Sequence, residues 1–143
     1  MTQRSDSTAP AATSSGVPTF YERVGGHETF RRLVHEFYRG VAEDEPLRAP
    51  YPEEDLGPAE ERLLLFLEQY WGGPTTYQET RGHPRLRMRH VPFKVTPAQR
   101  DRWLQHMHAA IDSIRDQLGP MDEHLMRDYM NRAAQAMVNA LEE

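Results

Sequence analysis

Residues 96–118 read TPAQRDRWLQHMHAAIDSIRDQL, and this stretch decides the fold. Thr96 and Gln99 have capping-box spacing: a hydroxyl at the cap accepts from the backbone N–H three residues on, and the amide side chain reaches back to the cap N–H. Pro97 stands at the first helical position, where its missing N–H would have had no partner. Trp103, Leu104, Met107, Ile111, Ile114 and Leu118 then recur at three- and four-residue steps, which puts them on one face of a helix. Gly119-Pro120 stops it. The spacing predicts a long amphipathic helix that must bury its stripe against other helices.

The flanks supply those partners. Downstream, Leu125, Tyr129, Ala133, Met137 and Leu141 mark a last helix at four-residue steps. Upstream, Pro74 to Pro92 reads as irregular, with Pro84 placed to start a short helix that carries Leu86 and His90 and ends before Val91-Pro92. Before that, Pro58 opens a helix with Ala59, Leu63, Phe66, Leu67 and Tyr70 on one face, closed by Gly72-Gly73. Pro50-Tyr51-Pro52 is a loop, because each proline restricts its predecessor, and Asp44-Glu45-Pro46 starts a short helical turn. Phe30, Leu33, Val34, Phe37, Tyr38 and Val41 form another helical stripe, and Thr19 caps a very short helix that Gly25-Gly26 stops. No segment alternates like a strand. The fold class expected is all-α, with four long or medium helices and a few short pieces.

The chain has 143 residues, no cysteine, and a net charge of 17 − 22 = −5. Disulfides, thiol nucleophiles, zinc ribbons and iron–sulfur clusters are thereby excluded. The longest apolar run, Leu63 to Leu67, is five residues, against the ~20 needed to span a bilayer. An integral membrane segment is not expected, and a negative chain has no general grip on nucleic acid. Residues 1–18 are rich in Ser, Thr and Ala and lack any aromatic, so they read as a disordered tail ahead of one domain over 19–143. They contain no apolar signal-peptide core, and a cytoplasmic location is the default.

Among seven histidines, His106 and His108 lie ~200° apart around their helix and cannot share an ion. His27 and His35 have no acidic residue at metal-site spacing. His83 precedes a proline and reads as a cap, and His124 lies in a polar first turn. His90 differs: Leu86 lies one turn back, Val91 and Phe93 follow, and Arg81, Arg85, Arg87, Arg89 and Lys94 surround it, with no Asp or Glu between Thr80 and Arg100. A lone histidine on an apolar face is more often satisfied by a backbone carbonyl than by a metal. A basic patch in an acidic chain nonetheless points to an anionic ligand, and carboxylates suit Arg best. A histidine, an apolar all-helical pocket and cations for two carboxylates together describe a haem site. Tyr38, Tyr51 and Trp103 are polar-tipped aromatics able to complete it, or else ordinary core and rim residues.

Several long motifs sharpen this reading. Phe20-Tyr21 to Val24-Gly25-Gly26, Phe37-Tyr38, Tyr51-Pro52-Glu53, Ala59-Glu60-Glu61-Arg62, Phe66-Leu67 through Tyr70-Trp71-Gly72-Gly73-Pro74, Arg81-Gly82-His83-Pro84-Arg85-Leu86-Arg87-Met88-Arg89-His90 and Trp103 occur in that order. With them the chain resembles a group II truncated haemoglobin over Phe20 to Leu141. The resemblance implies a truncated globin-like two-over-two helical sandwich enclosing haem b, with His90 matching the proximal iron ligand. Tyr38 and Trp103 match distal residues. Tyr51 stands where most globins carry Phe, and Ala59 where many carry a distal His or Gln. Leu63 matches the next distal position. Arg62, Arg89 and Tyr77 match residues that contact the haem propionates, and Phe66 belongs to the same cofactor-binding set.

The expected function is therefore an oxygen-binding globin with a Tyr/Tyr/Trp hydrogen-bond network, used for redox chemistry on O2, nitric oxide or peroxide with a reductase partner not named by the sequence. The competing expectations are a carrier, store or sensor without chemistry, and a cofactor-free helical interaction domain. A homodimer is left open.

Overall fold

The structure is a computed structural model that describes residues 16–51, 55–82 and 95–139. Its helices are α1 (Phe20–Arg23), α2 (Gly26–Ala42), α3 (Glu45–Arg48), α4 (Gly57–Tyr70), α5 (Thr76–Arg81), α6 (Pro97–Ser113) and α7 (Pro120–Met137), with a 3-10 turn at Arg115–Gln117. The described residues contain no strand.

Side-chain pairing gives the helix directions. His27 and His35 of α2 meet Glu68 and Glu60 of α4 respectively, so one partner's number rises as the other's falls and the two helices run antiparallel. On the other pair, His108 meets Asn131, Arg127 meets Asp112 and Arg100 meets Gln135, so α6 and α7 are antiparallel as well. α2 packs on both α4 and α6, which joins the two pairs. The result is a two-over-two sandwich in which Phe30, Phe37, Leu33, Leu67, Met107, Ile111, Ile114, Met126 and Met130 are buried essentially completely.

The capping logic holds. Thr19 with Glu22 and Thr96 with Gln99 both form complete capping boxes. Gly25, at φ 111°, makes the left-handed turn from α1 into α2 that a side chain would strain. The stripe from Phe30 to Val41 is wholly buried.

Three expectations change. Thr76–Arg81 is helical rather than irregular. It contains a single buried residue, Tyr77, so no periodicity announces it. It is held by a bond from the Gln78 backbone N–H to the Gln69 side chain and by Thr75 donating to Glu79. The α6 helix ends at Ser113 rather than at Leu118, because the chain unwinds at Ile114 (φ −115°) and tightens into the 3-10 turn, with Arg32 donating to the freed Ser113 carbonyl. In α7 the buried face is Met126, Tyr129, Met130 and Ala134, while Leu125 is 40% exposed. Steps of four advance ~40° per repeat around a helix, so a stripe read at fours drifts off the face that alternating steps of three and four hold in place. The tail to residue 15, the short helix expected from Pro84, and Leu141 lie outside the described residues.

Candidate functional site

Tyr38 follows Phe37 in the last turns of α2 and is nearly buried. Tyr51 follows α3, and its place is fixed from both sides: its backbone N–H donates to the Arg48 carbonyl at 3.1 Å, and the Arg48 guanidinium donates to the Tyr51 carbonyl at 3.2 Å. The two phenols converge, with hydroxyl oxygens 3.3 Å apart and rings at 79°. Trp103 approaches from α6. Its ring lies 5.1 Å from that of Phe37, which in turn stands edge-on to Tyr38 at 5.0 Å. Phe37 thus bridges a tyrosine of one helix pair and the tryptophan of the other.

Burial sets the chemistry of this cluster. It pushes the Tyr38 hydroxyl far above the usual phenol range, and the adjacent Tyr51 adds to the effect against a smaller opposing pull from Arg62. Tyr38 therefore stays a neutral O–H and keeps a proton to donate. In the same core cluster, Ala59, Phe66 and Leu67 are buried and Leu63 is half-buried, all on α4. Tyr77 is buried with its ring edge-on to Phe66 at 5.6 Å and Arg81 over its face. Arg62 is half-buried.

The structure thus brings together Tyr38, Tyr51 and Trp103 on one side, and Leu63, Phe66 and Tyr77 on the neighbouring stretch of α4 and α5. Arg89 and His90 lie outside the described residues, as do Arg85, Arg87 and Lys94 of the basic run, whose Arg81 alone is described. No group of three or more His, Cys, Asp or Glu able to hold a metal occurs among the described residues. The donor set is three neutral O–H and N–H groups with hydrocarbon walls. That chemistry fits a flat apolar group whose small ligand accepts hydrogen bonds, and does not fit a hydrated cation.

Sequence reasoning missed one feature beside this cluster. Asp44 accepts from Arg102 Nε at 3.0 Å and from His106 Nε2 at 2.8 Å. His106 reads as a flanking residue because its partner lies 62 positions away. The available signal was Gly40, a glycine inside a strong helical stripe. A Cβ there would overlap His106 Nδ1.

Among the described residues, no helix is long and apolar enough to cross a membrane. The bacterial-like globin family model matches residues 19–139. The crystal structure of a thermostable hemoglobin from Thermobifida fusca is 61% identical and superposes with a TM-score of 0.84, covering 87% of this chain and all of that one. A truncated oxygen-avid haemoglobin from Bacillus subtilis is 36% identical, with a TM-score of 0.78 over 85% of this chain and all of its own. A group 2 truncated hemoglobin of Bacillus subtilis is 43% identical over 94 residues, 66% of this chain and 70% of that protein. With two antiparallel helix pairs and the aromatic cluster between them, the chain belongs to the bacterial-like globin family and, within it, to the group II truncated haemoglobins.

Proposed function

We propose that the protein binds haem b with His90 as the sole protein ligand to iron, and that Tyr38, Tyr51 and Trp103 retain a small ligand long enough for redox chemistry on O2, nitric oxide or peroxide. Haem supplies an iron that binds diatomic ligands reversibly and exchanges electrons with them. The observation that carries this reading is the Tyr38–Tyr51 hydroxyl pair, 3.3 Å apart in an apolar cluster that Phe37 links to Trp103.

The side chains act as donors. Tyr38 cannot ionise at any physiological pH, so its hydroxyl always offers a proton. The Tyr51 hydroxyl can accept from Tyr38 while donating onward, which polarises both bonds. The Trp103 indole has one N–H and no acceptor, and its ring is held by Phe37, so it can only donate and has little freedom to swing away. A hydrogen bond to a partly anionic acceptor in a dry pocket is worth ~1.5–3 kcal/mol. Such donors slow release of a ligand that carries negative charge, in line with the description of the Bacillus subtilis relative as oxygen-avid. Slow release suits a site where one reactant waits for another and is a poor property for delivery. Arg62, Arg89 and Tyr77 would hold the propionates, with Leu63 and Phe66 against the ring.

Two measurements test the proposal. The visible spectrum of the purified protein is expected to show a haem Soret band, and His90→Ala to abolish stable haem retention with the helices still formed. Retention in His90→Ala together with loss in His83→Ala would overturn the ligand assignment. Fast O2 release from the wild type in stopped-flow would shift the reading to a carrier, store or sensor.

A further inference from the structure

We infer that Asp44 is a positioning residue for the ligand-stabilising donors, its carboxylate tying the turn that carries Tyr51 to the helix that carries Trp103. The inference rests on the donor role proposed above for those two aromatics.

Asp44 is the N-cap of α3, and an Asp there ordinarily uses its side chain to accept from the helix's own first N–H groups. Here the carboxylate makes no such bond. Its backbone carbonyl alone serves α3, accepting from Leu47 and Arg48 at 3.0 and 2.8 Å. The side chain turns instead to α6, with Arg102 Nε on one oxygen and His106 Nε2 on the other. Since a carboxylate only accepts, His106 donates from Nε2. Arg102 and His106 stand one turn apart on α6, with Trp103 directly after the first of them.

The other end of the tie is equally short. α3 spans four residues, and the two backbone-directed bonds between Arg48 and Tyr51 fix the tyrosine to its far end. The rigid path therefore runs from Trp103 through the first turns of α6 to Asp44, along α3, and on to Tyr51.

Two further observations support a built contact rather than a chance surface pair. The Asp44 side chain is only 10% exposed. Burial alone would raise its carboxyl, yet the bonds from His106 and Arg102 outweigh that and hold it below the ordinary range. Gly40, with no positive φ to require glycine, leaves on α2 the space into which the His106 ring fits. A helix-interior glycine is disfavoured. At this position it admits the imidazole that reaches Asp44.

The test uses the haem-loaded protein, reading O2 release by stopped-flow and the infrared stretch of bound carbon monoxide, which reports the hydrogen bonding that the ligand receives. Asp44→Ala is expected to accelerate release roughly fivefold, a fraction of the effect of losing a donor outright, and to shift or split the carbon monoxide band. Gly40→Ala leaves the carboxylate in place but displaces His106, and is expected to move both readouts the same way even though Ala favours the helix. His106→Gln keeps a donor for Asp44 and is expected to stay within about twofold of wild type. In a Trp103→Phe background, Asp44→Ala is expected to add little. If Trp103→Phe accelerates release while Asp44→Ala and Gly40→Ala leave rate and band unchanged, the Asp44 contact does not position the donors and the inference falls alone. If Trp103→Phe has no effect, the donor reading fails and the inference goes with it.

Discussion

The molecule has two aromatic clusters, and they are built differently. In the cluster of Tyr38, Tyr51, Phe37 and Trp103, rings meet edge-on at 60–79° and the tyrosine hydroxyls point at each other. In the cluster of Phe20, Tyr70, Trp71 and Tyr129, two pairs lie nearly face to face, Tyr70–Tyr129 at 4.1 Å and 27° and Phe20–Trp71 at 4.0 Å and 30°, and Trp71 stands edge-on to Tyr70 at 87° and to Tyr129 at 80°. The Trp71 Nε1 is buried with no partner among the described residues. In the first cluster the two tyrosine hydroxyls meet at 3.3 Å. In the second, the stacked pairs spread ring area over the joint between α1, α4 and α7. The same residue types therefore make a hydroxyl-paired cluster in one place and a stacked joint in the other.

The largest expected effects fall on opposite readouts. Trp103→Phe removes the indole N–H while keeping an aromatic ring, and is expected to speed O2 release by at least about tenfold, from ~1.5–3 kcal/mol for a bond to an anionic acceptor. Its thermal midpoint is expected to move little. Tyr129→Ala empties a nearly buried site and is expected to cost about 3 kcal/mol of stability, with O2 release unchanged within about twofold. Stopped-flow and thermal unfolding on both variants break the comparison if either variant moves both readouts strongly.

The tyrosines sharpen it. Tyr38→Phe and Tyr51→Phe are each expected to accelerate release by roughly three- to tenfold, less than Trp103→Phe, and their double variant by less than the product, since hydroxyls that share one partner compensate. Tyr70→Phe, in the stacked cluster and 48% exposed, is expected to leave release unaltered. Full additivity at Tyr38 and Tyr51 would mean that the 3.3 Å hydroxyl contact is not a working hydrogen bond.

How much of this the sequence discloses follows the same division. Local signals carried the fold well: the Thr96/Gln99 box, the Thr19 cap, the Phe30-to-Val41 stripe and the Gly72-Gly73 stop are decided within a turn or two of chain. The α5 helix was invisible because its one buried residue, Tyr77, sets no period, and its support comes from Gln69 on α4. Leu125 and Tyr70 are exposed because each lies at the edge of its stripe, where the ~40° drift of a four-residue step turns a side chain off the buried face. The site divides likewise. Motif resemblance named Tyr38, Tyr51 and Trp103, but nothing within the sequence joins Asp44 to His106, or His27 to Glu68, across 62 and 41 residues.

Those last two pairs give the smallest effect and the finest test, because each joins a histidine to a carboxylate and they are shifted in opposite directions. Burial raises the Glu68 carboxyl above its ordinary 4.5, and a single exposed histidine, His27, only partly offsets this. Burial also pushes the Asp44 carboxyl upward, but bonds from two donors, His106 and Arg102, outweigh it and hold the group below 3.8. The native state therefore binds more protons at Glu68 than the unfolded chain between the ordinary and the raised value, so Glu68 stabilises the fold at low pH and loses that contribution as pH rises through the raised value. At Asp44 the native state binds fewer protons, so its contribution is present above the ordinary value and is lost as pH falls through the depressed one. Urea midpoints from pH 3 to 7, each referred to wild type at the same pH, are expected to show Glu68→Gln gaining on wild type as pH rises and Asp44→Asn gaining as pH falls. Parallel slopes would show that the count of donors around a carboxylate does not set the sign, and would remove the electrostatic difference between the two ends of the molecule.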